Sequence, residues 1–260
     1  MIRHLIFVTG AGSGIGLATA EELHARGATI VALGRRPEPL KSLKGKLRSR
    51  TFAFSLDLTQ GETVLAWAQS LAAGATDLFG EKLLLESYDL ISLVNNAGIY
   101  VQQLVAEGTD EHWLGQFATN LHAPVRLSRA LLPALRARPG SSIVNVASTL
   151  ALRPAEGAAA YSAAKAALVS FTQTLALEEA KAQVRVNCVC PGLVETPIHS
   201  IFGKHDARSE ALRTKFHAMQ PMGRMGTTAE IARAIAYFAL PGSEWTTGSI
   251  LSVDGGINLV

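Results

Sequence analysis

The 260-residue sequence predicts an α/β fold, a single domain built on a doubly wound parallel sheet of about seven strands with helices on both faces. Three observations carry this. Short β-prone runs alternate with helical patterns from end to end. A strand near the start leads through a glycine cluster straight into a helix. No linker, repeat or low-complexity stretch divides the chain. Hydrophobic residues at 48% and charged residues at 17% exclude a disordered chain. The formal charge of +3 is mild, and the 24 basic residues are dispersed, so nothing points to nucleic acid. The early apolar run is far too short for a signal peptide or a membrane span, so no membrane association and a cytoplasmic location are expected.

Residues 5–8 form the first strand. Gly10, Gly14 and Gly16 then punctuate the turn before a helical pattern through Leu17, Ala20 and Leu23. Glycines let the backbone bend tightly and approach a pyrophosphate, while free N–H groups and the helix dipole face the anion. The spacing is G-x-x-x-G-x-G rather than G-x-G-x-x-G, because Ile15 and Leu17 stand where a third glycine would be required. Residues 28–33 form the second strand, which ends at Gly34-Arg35-Arg36-Pro37. A dinucleotide site that prefers NAD places an acid about 20 residues past the glycines, whereas an arginine accommodates a 2′-phosphate. Arg35 and Arg36 stand here with no acid before Glu38, so in a dinucleotide fold NADP(H) is favoured over NAD(H). Arg36 precedes Pro37, which biases its backbone toward extended conformations and makes it the weaker of the two.

Residues 51–56 read as a third strand closing on Asp57, and residues 62–71 as a helix, whereas 72–86 follow no regular pattern. The fourth strand, 90–94, ends in Asn95-Asn96-Ala97-Gly98, at the carboxyl end where open α/β sheets bind ligands. The two asparagines also suit a simple turn. Residues 109–135 read as one long helix with Asn120 inside it; mid-helix asparagine is unfavourable, so it points to solvent or has a local job. The fifth strand, 142–146, leads to Ser148, and a helix reaching about residue 180 carries Tyr161 and Lys165. The sixth strand, 184–189, is followed by Pro191-Gly192 and Thr196-Pro197. A capping box, Thr227 to Glu230, opens a helix over 227–240, and 249–253 form the seventh strand. Cys188 and Cys190 fall on one side of the sixth strand, as packed, reduced thiols; two such ligands make no zinc site, and no metal is expected.

Tyr161 and Lys165 are the sequence's chemical centre. A helix places them one turn apart on the same face. Free tyrosine loses its proton near pH 10, so exchange near neutrality needs a shift of about three units, roughly 4 kcal/mol. A neighbouring ammonium is expected to push that way.

With Thr9-Gly10-x-x-x-Gly14-Ile15-Gly16, Asp57, Asn95-Asn96-Ala97-Gly98, Asn120, Ser148, Tyr161-x-x-x-Lys165 and Pro191-Gly192-x-x-x-Thr196 in that order, the chain resembles the short-chain dehydrogenase/reductase family along essentially its whole length. Two departures stand out: Gln183 replaces a glycine common before the sixth strand, and Ser13 is not the basic residue of some NADP-preferring members. The resemblance implies a Rossmann fold and hydride transfer between NADP(H), or NAD(H), and a carbonyl or secondary alcohol. It implies a catalytic set of Asn120, Ser148, Tyr161 and Lys165. Tyr161 would exchange the proton, Ser148 hydrogen-bond the same oxygen, Lys165 tune the phenol and hold the ribose, and Asn120 position a relay water. It also implies a cofactor cradle of Gly10, Ser13, Gly14, Ile15, Gly16, Arg35, Arg36, Asp57, Leu58, Asn95, Ala97, Gly98, Pro191, Gly192, Val194 and Thr196. There the glycines hold the pyrophosphate, Asp57 meets the adenine, Asn95 supports the cofactor strand and Thr196 meets the carboxamide.

A substrate lid is expected over roughly residues 195–225. Its Ile198, Ile201, Phe202, Leu212, Phe216, Met219 and Met222, with Ile99, Tyr100, Leu150 and Leu152, suggest an apolar pocket or simply lid packing. Its Lys204, His205, Arg208, Arg213 and Lys215 leave room for a carrier-linked substrate such as a 3-oxoacyl thioester. An NAD-dependent alcohol or sugar dehydrogenase and a non-catalytic dinucleotide sensor are the alternatives, the latter disfavoured by the intact catalytic set. A homotetramer, with a dimer as the alternative, is expected from the resemblance and from the small residues around the Tyr161 helix, Ala158, Ala159, Ala163, Ala166, Ala167 and Val169.

Overall fold

Parallel strands covered on both faces read as nearly continuous apolar runs, because each residue must meet one core or the other. In the computed structural model, which describes residues 2–198 and 206–260, β1 (His4–Thr9) is buried throughout. Leu5 and Phe7 enter one core, and Ile6 and Val8 enter the core on the opposite face. The chain continues through α1 (Gly14–Ala25), β2 (Thr29–Gly34), α2 (Pro37–Leu47), β3 (Thr51–Ser55), α3 (Gly61–Ala73), β4 (Ala75–Thr76), β5 (Lys82–Leu83) and β6 (Leu90–Asn95). It goes on through α4 (Asp110–Phe117), α5 (Ala123–Arg136), β7 (Ser142–Val146), α6 (Ala159–Glu179), β8 (Arg185–Pro191), α7 (Ala207–Ala218), α8 (Thr228–Ala239) and β9 (Ile250–Val253).

Seven strands pair in the order β3-β2-β1-β6-β7-β8-β9, every neighbour parallel. Ala20 and Leu23 of α1, Leu40 and Leu43 of α2, and Ile231 and Ile235 of α8 cover one face. Val64 and Leu71 of α3, Leu127, Leu131 and Leu135 of α5, and Leu175 of α6 cover the other. Each such Val, Leu or Ile side chain contributes roughly 1.5–3 kcal/mol on burial, and the Ala20 methyl less. The strand order reverses between β1 and β6, so the chain leaves those two strands in opposite directions and a crevice opens beyond their carboxyl ends.

Where sequence and structure differ, a side chain decides. The stretch without pattern, 72–86, contains the antiparallel ladder β4–β5, organised by one carboxylate. Asp77 Oδ2 accepts from Lys44 Nζ at 2.6 Å and Ala53 N at 3.1 Å, and Oδ1 accepts from Phe79 N and Glu81 N. Such a hairpin has no periodicity to read. The single helix expected over 109–135 is helical throughout, but a π-helical turn at residues 118–122 divides it into α4 and α5. Helices α2 and α7 were not anticipated; α2 starts with Pro37 in its first turn, where the missing N–H costs nothing. Thr227 and Glu230 do form a reciprocal capping box at α8. The apolar and basic lid positions Ile201, Phe202, Lys204 and His205 lie outside the described residues. Among the described residues, no helix is long and apolar enough to cross a membrane.

Candidate active site

The crevice is stitched shut at its floor by a threonine hydroxyl. Thr9 Oγ1, at the end of β1, donates to Val94 O and accepts from Asn96 N and Ala97 N at 2.9 Å each, while Asn96 Nδ2 donates to Thr9 O at 2.9 Å. The two strand ends on either side of the reversal are thereby locked together. The glycine turn lies directly on this junction. A Cβ on Gly16 would stand 2.3 Å from Gly10 O and 2.5 Å from Asn96 Nδ2, and Gly14 sits at φ +54°. Only glycine allows that approach. Helix α1 begins with no side-chain cap and no acid in its first turn, so its leading N–H groups are left for an anion.

A cavity of about 400 Å³ extends from this turn. Of the sequence-predicted cradle it is lined by Gly10, Ser13, Arg35, Arg36, Asp57, Leu58, Ala97 and Gly98. Gly12, Pro39, Leu40, Thr59, Thr119 and Ala123 also line it; sequence reasoning missed these, since only the fold brings α2 and the π turn to the crevice. Arg35 and Arg36 stand exposed at its edge, Arg36 extended (φ −93°, ψ 118°) ahead of Pro37. Burial acts to raise the Asp57 carboxyl, but hydrogen bonds from Thr59 N and Oγ1 and the charge of Arg35 outweigh it and hold the group below its usual range.

Asn95 does not face the cavity. It is buried, donating to Ser128 Oγ at 3.1 Å and Asn145 Oδ1 at 2.9 Å, and Asn145 passes the chain on to Thr172 Oγ1. These bonds tie β6 and β7 to α5 and α6, so Asn95 supports the cavity wall without forming it. On the other side of the crevice, Thr196 and Pro197 pass within 3.5 Å of where a Gly14 Cβ would lie. Thr196 is buried, with its Oγ1 on Val194 O. Val194 bridges to Gly226, and Gly192 is pressed against Asp254 so closely that a Cβ would come within 2.8 Å of its Cα. Pro191 ends β8, and Ile15 packs from α1 into the adjoining core.

The four residues of the expected catalytic set converge beyond Gly98. A Cβ there would meet Asn120 Oδ1 at 2.9 Å and Lys165 Nζ at 3.6 Å. Asn120 is fully buried within the π turn, not turned to solvent; its amide accepts from Ile99 N at 3.1 Å and donates to Ile99 O at 3.0 Å. The backbone stays helical through the π turn, which presents the Asn120 amide to Ile99. Ser148, just past β7, caps a short 3₁₀ turn through Leu150 N at 3.1 Å and hydrogen-bonds the Tyr161 phenol.

Tyr161 is 9% exposed, and Lys165 lies one turn on with Nζ 5.8 Å from the phenol ring centroid. The expected downward push on the phenol is reversed. Burial raises Tyr161 to about 12 against the pull of the Ser148 hydrogen bond. Burial also lowers Lys165 to about 8, the neighbouring Cys188 and Cys190 opposing it. The reason is geometric: Lys165 Nζ is committed to Val146 O at 2.7 Å, and water is excluded from both groups, so desolvation outweighs attraction. Cys188 and Cys190 are free, buried thiols with Sγ atoms 3.9 Å apart.

Residues 10–258 match the sequence model of the family described as enoyl-(acyl carrier protein) reductase. The chain is 35% identical over 253 residues to nodulation protein G of a Rhizobium species, covering 97% of this chain and 96% of the relative. It is 34% identical over 253 residues to the 3-oxoacyl-[acyl-carrier-protein] reductase of Vibrio cholerae, covering 97% and 96%. Among solved structures, it is similar to the ligand-free aldohexose dehydrogenase of Thermoplasma acidophilum (TM-score 0.85, 27% identity, 100% of this chain and 95% of that one). It is also similar to the 3-ketoacyl-(acyl-carrier-protein) reductase of Brucella melitensis complexed with NADH (TM-score 0.82, 30% identity, 98% of each chain).

Proposed function

We propose, from the premise that this chain belongs to the short-chain dehydrogenase/reductase family and is an oxidoreductase using a nicotinamide dinucleotide, that it reduces 3-oxoacyl thioesters with NADPH. The observation that carries the reading is the convergence of Asn120, Ser148, Tyr161 and Lys165 beside a glycine-walled cavity. The cavity suits a dinucleotide on its own geometry: an uncapped helix start for the pyrophosphate, Asp57 at the far end for the adenine, and Arg35 at the rim for a 2′-phosphate.

When bound, the reduced dinucleotide supplies a hydride to the carbonyl carbon. Ser148 hydrogen-bonds the carbonyl oxygen, and Tyr161 donates its proton to the alkoxide that develops there. The high pKa of Tyr161 keeps that proton on the phenol until charge builds on the substrate. Lys165 supports the phenol by its charge and holds the ribose, while Asn120, fixed to Ile99, positions a water that restores the proton. Thr196 contacts the carboxamide. Ile99, Tyr100, Leu150 and Leu152 would border an apolar substrate entrance, and the exposed Arg208 and Lys215 of α7 suit a carrier-linked substrate. The likeness to an aldohexose dehydrogenase keeps a sugar-oxidising activity as the second reading.

The test is to follow NADPH oxidation with a panel of ketones, sugars and acyl thioesters, beside Tyr161→Phe. Turnover is expected with the 3-oxoacyl thioester and lost in Tyr161→Phe, with dinucleotide affinity nearly unchanged. Substantial activity in Tyr161→Phe would overturn the proton-donor assignment, and turnover on sugars alone would favour the second reading. We also infer a homotetramer. Ala163, Ala166, Ser170, Gln173 and Leu177 leave one exposed stripe along α6 that suits a partner helix. A monomeric mass by light scattering at micromolar concentration would refute it.

A further inference from the structure

Tyr100 is a second phenol at the reacting centre, so far given only a place at the substrate entrance and no part in the proton transfer. Its ring packs edge-on against that of Tyr161, centroids 5.1 Å apart and planes at 74°, an arrangement aromatic pairs prefer. The strap that carries it is pinned on both sides. Before it, Ile99 exchanges two hydrogen bonds with the Asn120 amide at 3.1 and 3.0 Å. After it, Gln103 N donates to Gly157 O at 2.8 Å. Gly157 is at φ +75°, and a Cβ there would stand 2.8 Å from Gln102 Cγ, so the strap lies directly on the loop ahead of α6. Backbone anchors on both sides therefore hold the Tyr100 backbone in place beside Tyr161.

We infer that Tyr100 is a positioning residue for the Tyr161 phenol: its ring fixes the orientation of the phenol and shuts water away from its exposed flank. The inference rests on the reading of Tyr161 as proton donor. The groups that face Tyr161 are Ser148 after β7, Cys190 from β8, Lys165 one turn on in α6, and Tyr100 from the strap. Of these, Tyr100 alone presents an aromatic ring. Burial raises Tyr100 as well as Tyr161, as expected where two phenols dry one another.

The experiment compares Tyr100→Phe, Tyr100→Leu and Tyr100→Ala with the wild type. Three quantities are read: kcat and KM with one 3-oxoacyl thioester, NADPH affinity by fluorescence, and ionisation of Tyr161 by tyrosinate absorbance after a rapid pH jump. The Tyr161 signal is isolated by subtracting the same variants carrying Tyr161→Phe. The ring-preserving Tyr100→Phe is expected to keep kcat within about twofold, while Leu and Ala lower it about tenfold at unchanged NADPH affinity. In Leu and Ala the Tyr161 midpoint should fall by about one unit as water reaches the phenol. Unchanged kcat and midpoint in both would overturn the proposal. So would an equal loss in Tyr100→Phe, which would assign the effect to the Tyr100 hydroxyl. If Tyr161→Phe itself stays active, the proton-donor reading fails, whereas the midpoint shift still reports on the ring contact.

Discussion

Lys165 fixes the alkaline side of this protein's pH dependence. Its side chain is 3% exposed, and burial takes its pKa from 10.5 to about 8. The difference corresponds to about 3 kcal/mol of disfavour toward the ammonium. Because the charged form is the one penalised, the proton leaves as pH rises through about 8, well before an exposed lysine would lose it. Tyr161, at about 12, remains protonated over the same range. If the ammonium holds the ribose, kcat/KM for NADPH, which reports the free enzyme, is flat below about pH 7.5 and falls tenfold per unit above about pH 8. The assay is initial-rate NADPH oxidation at saturating carbonyl substrate and constant ionic strength. Lys165→Arg retains its charge at every accessible pH, so its activity is lower but the decline near pH 8 disappears. A decline that starts only near pH 10 in the wild type would refute the desolvation argument. The same decline near pH 8 in Lys165→Arg would assign it to another group. The linked stability runs opposite to the activity: between about pH 8 and 10.5 the unfolded chain binds the extra proton, so the unfavourable Lys165 contribution fades and stability rises with pH across that window.

Two further outcomes follow from charges elsewhere. Arg35→Ala is expected to reduce the kcat/KM preference for NADPH over NADH, a wild-type ratio of roughly thirtyfold from a partly exposed, bidentate phosphate contact; a wild type that prefers NADH, or an unchanged ratio in the variant, refutes the role of Arg35. His4 sits at the opposite end of the sheet, with Nε2 on Ser92 Oγ at 2.8 Å and Nδ1 buried without a partner. Burial and then the charge of Arg185 lower it from 6.5 to about 4. Its folded-state pKa lies below its unfolded value, so the unfolded chain takes up the proton first, and stability falls by about 3 kcal/mol as pH drops from 6.5 to 4. Urea denaturation across that range should show the loss in the wild type and much less of it in His4→Gln; equal slopes would rule His4 out as the cause.

Much of the fold was legible because its signals are local. Each strand of the main sheet is a short apolar run bounded by polar or glycine punctuation, and the capping box of α8 lies within four consecutive residues. Gly10, Gly14 and Gly16 announced the turn for the same reason: the backbone constraint acts at the residue itself. The hairpin β4–β5 was not legible, since Asp77 holds it through Lys44 and Ala53, more than 20 positions away in sequence.

At the site, the sequence by itself determined which side chains are available and that Tyr161 and Lys165 share a helix face. The interruption at Asn120 was expected from the resemblance, but only tertiary structure decided that its amide would hold Ile99 from within a π turn, and that Asn95 would turn inward to Ser128 and Asn145. It also decided the sign of the Tyr161 and Lys165 shifts. Spacing along a helix gives the attraction between two groups, but desolvation sums over every neighbour that excludes water. Here those neighbours come from β7, β8, the strap at Tyr100 and α6 itself.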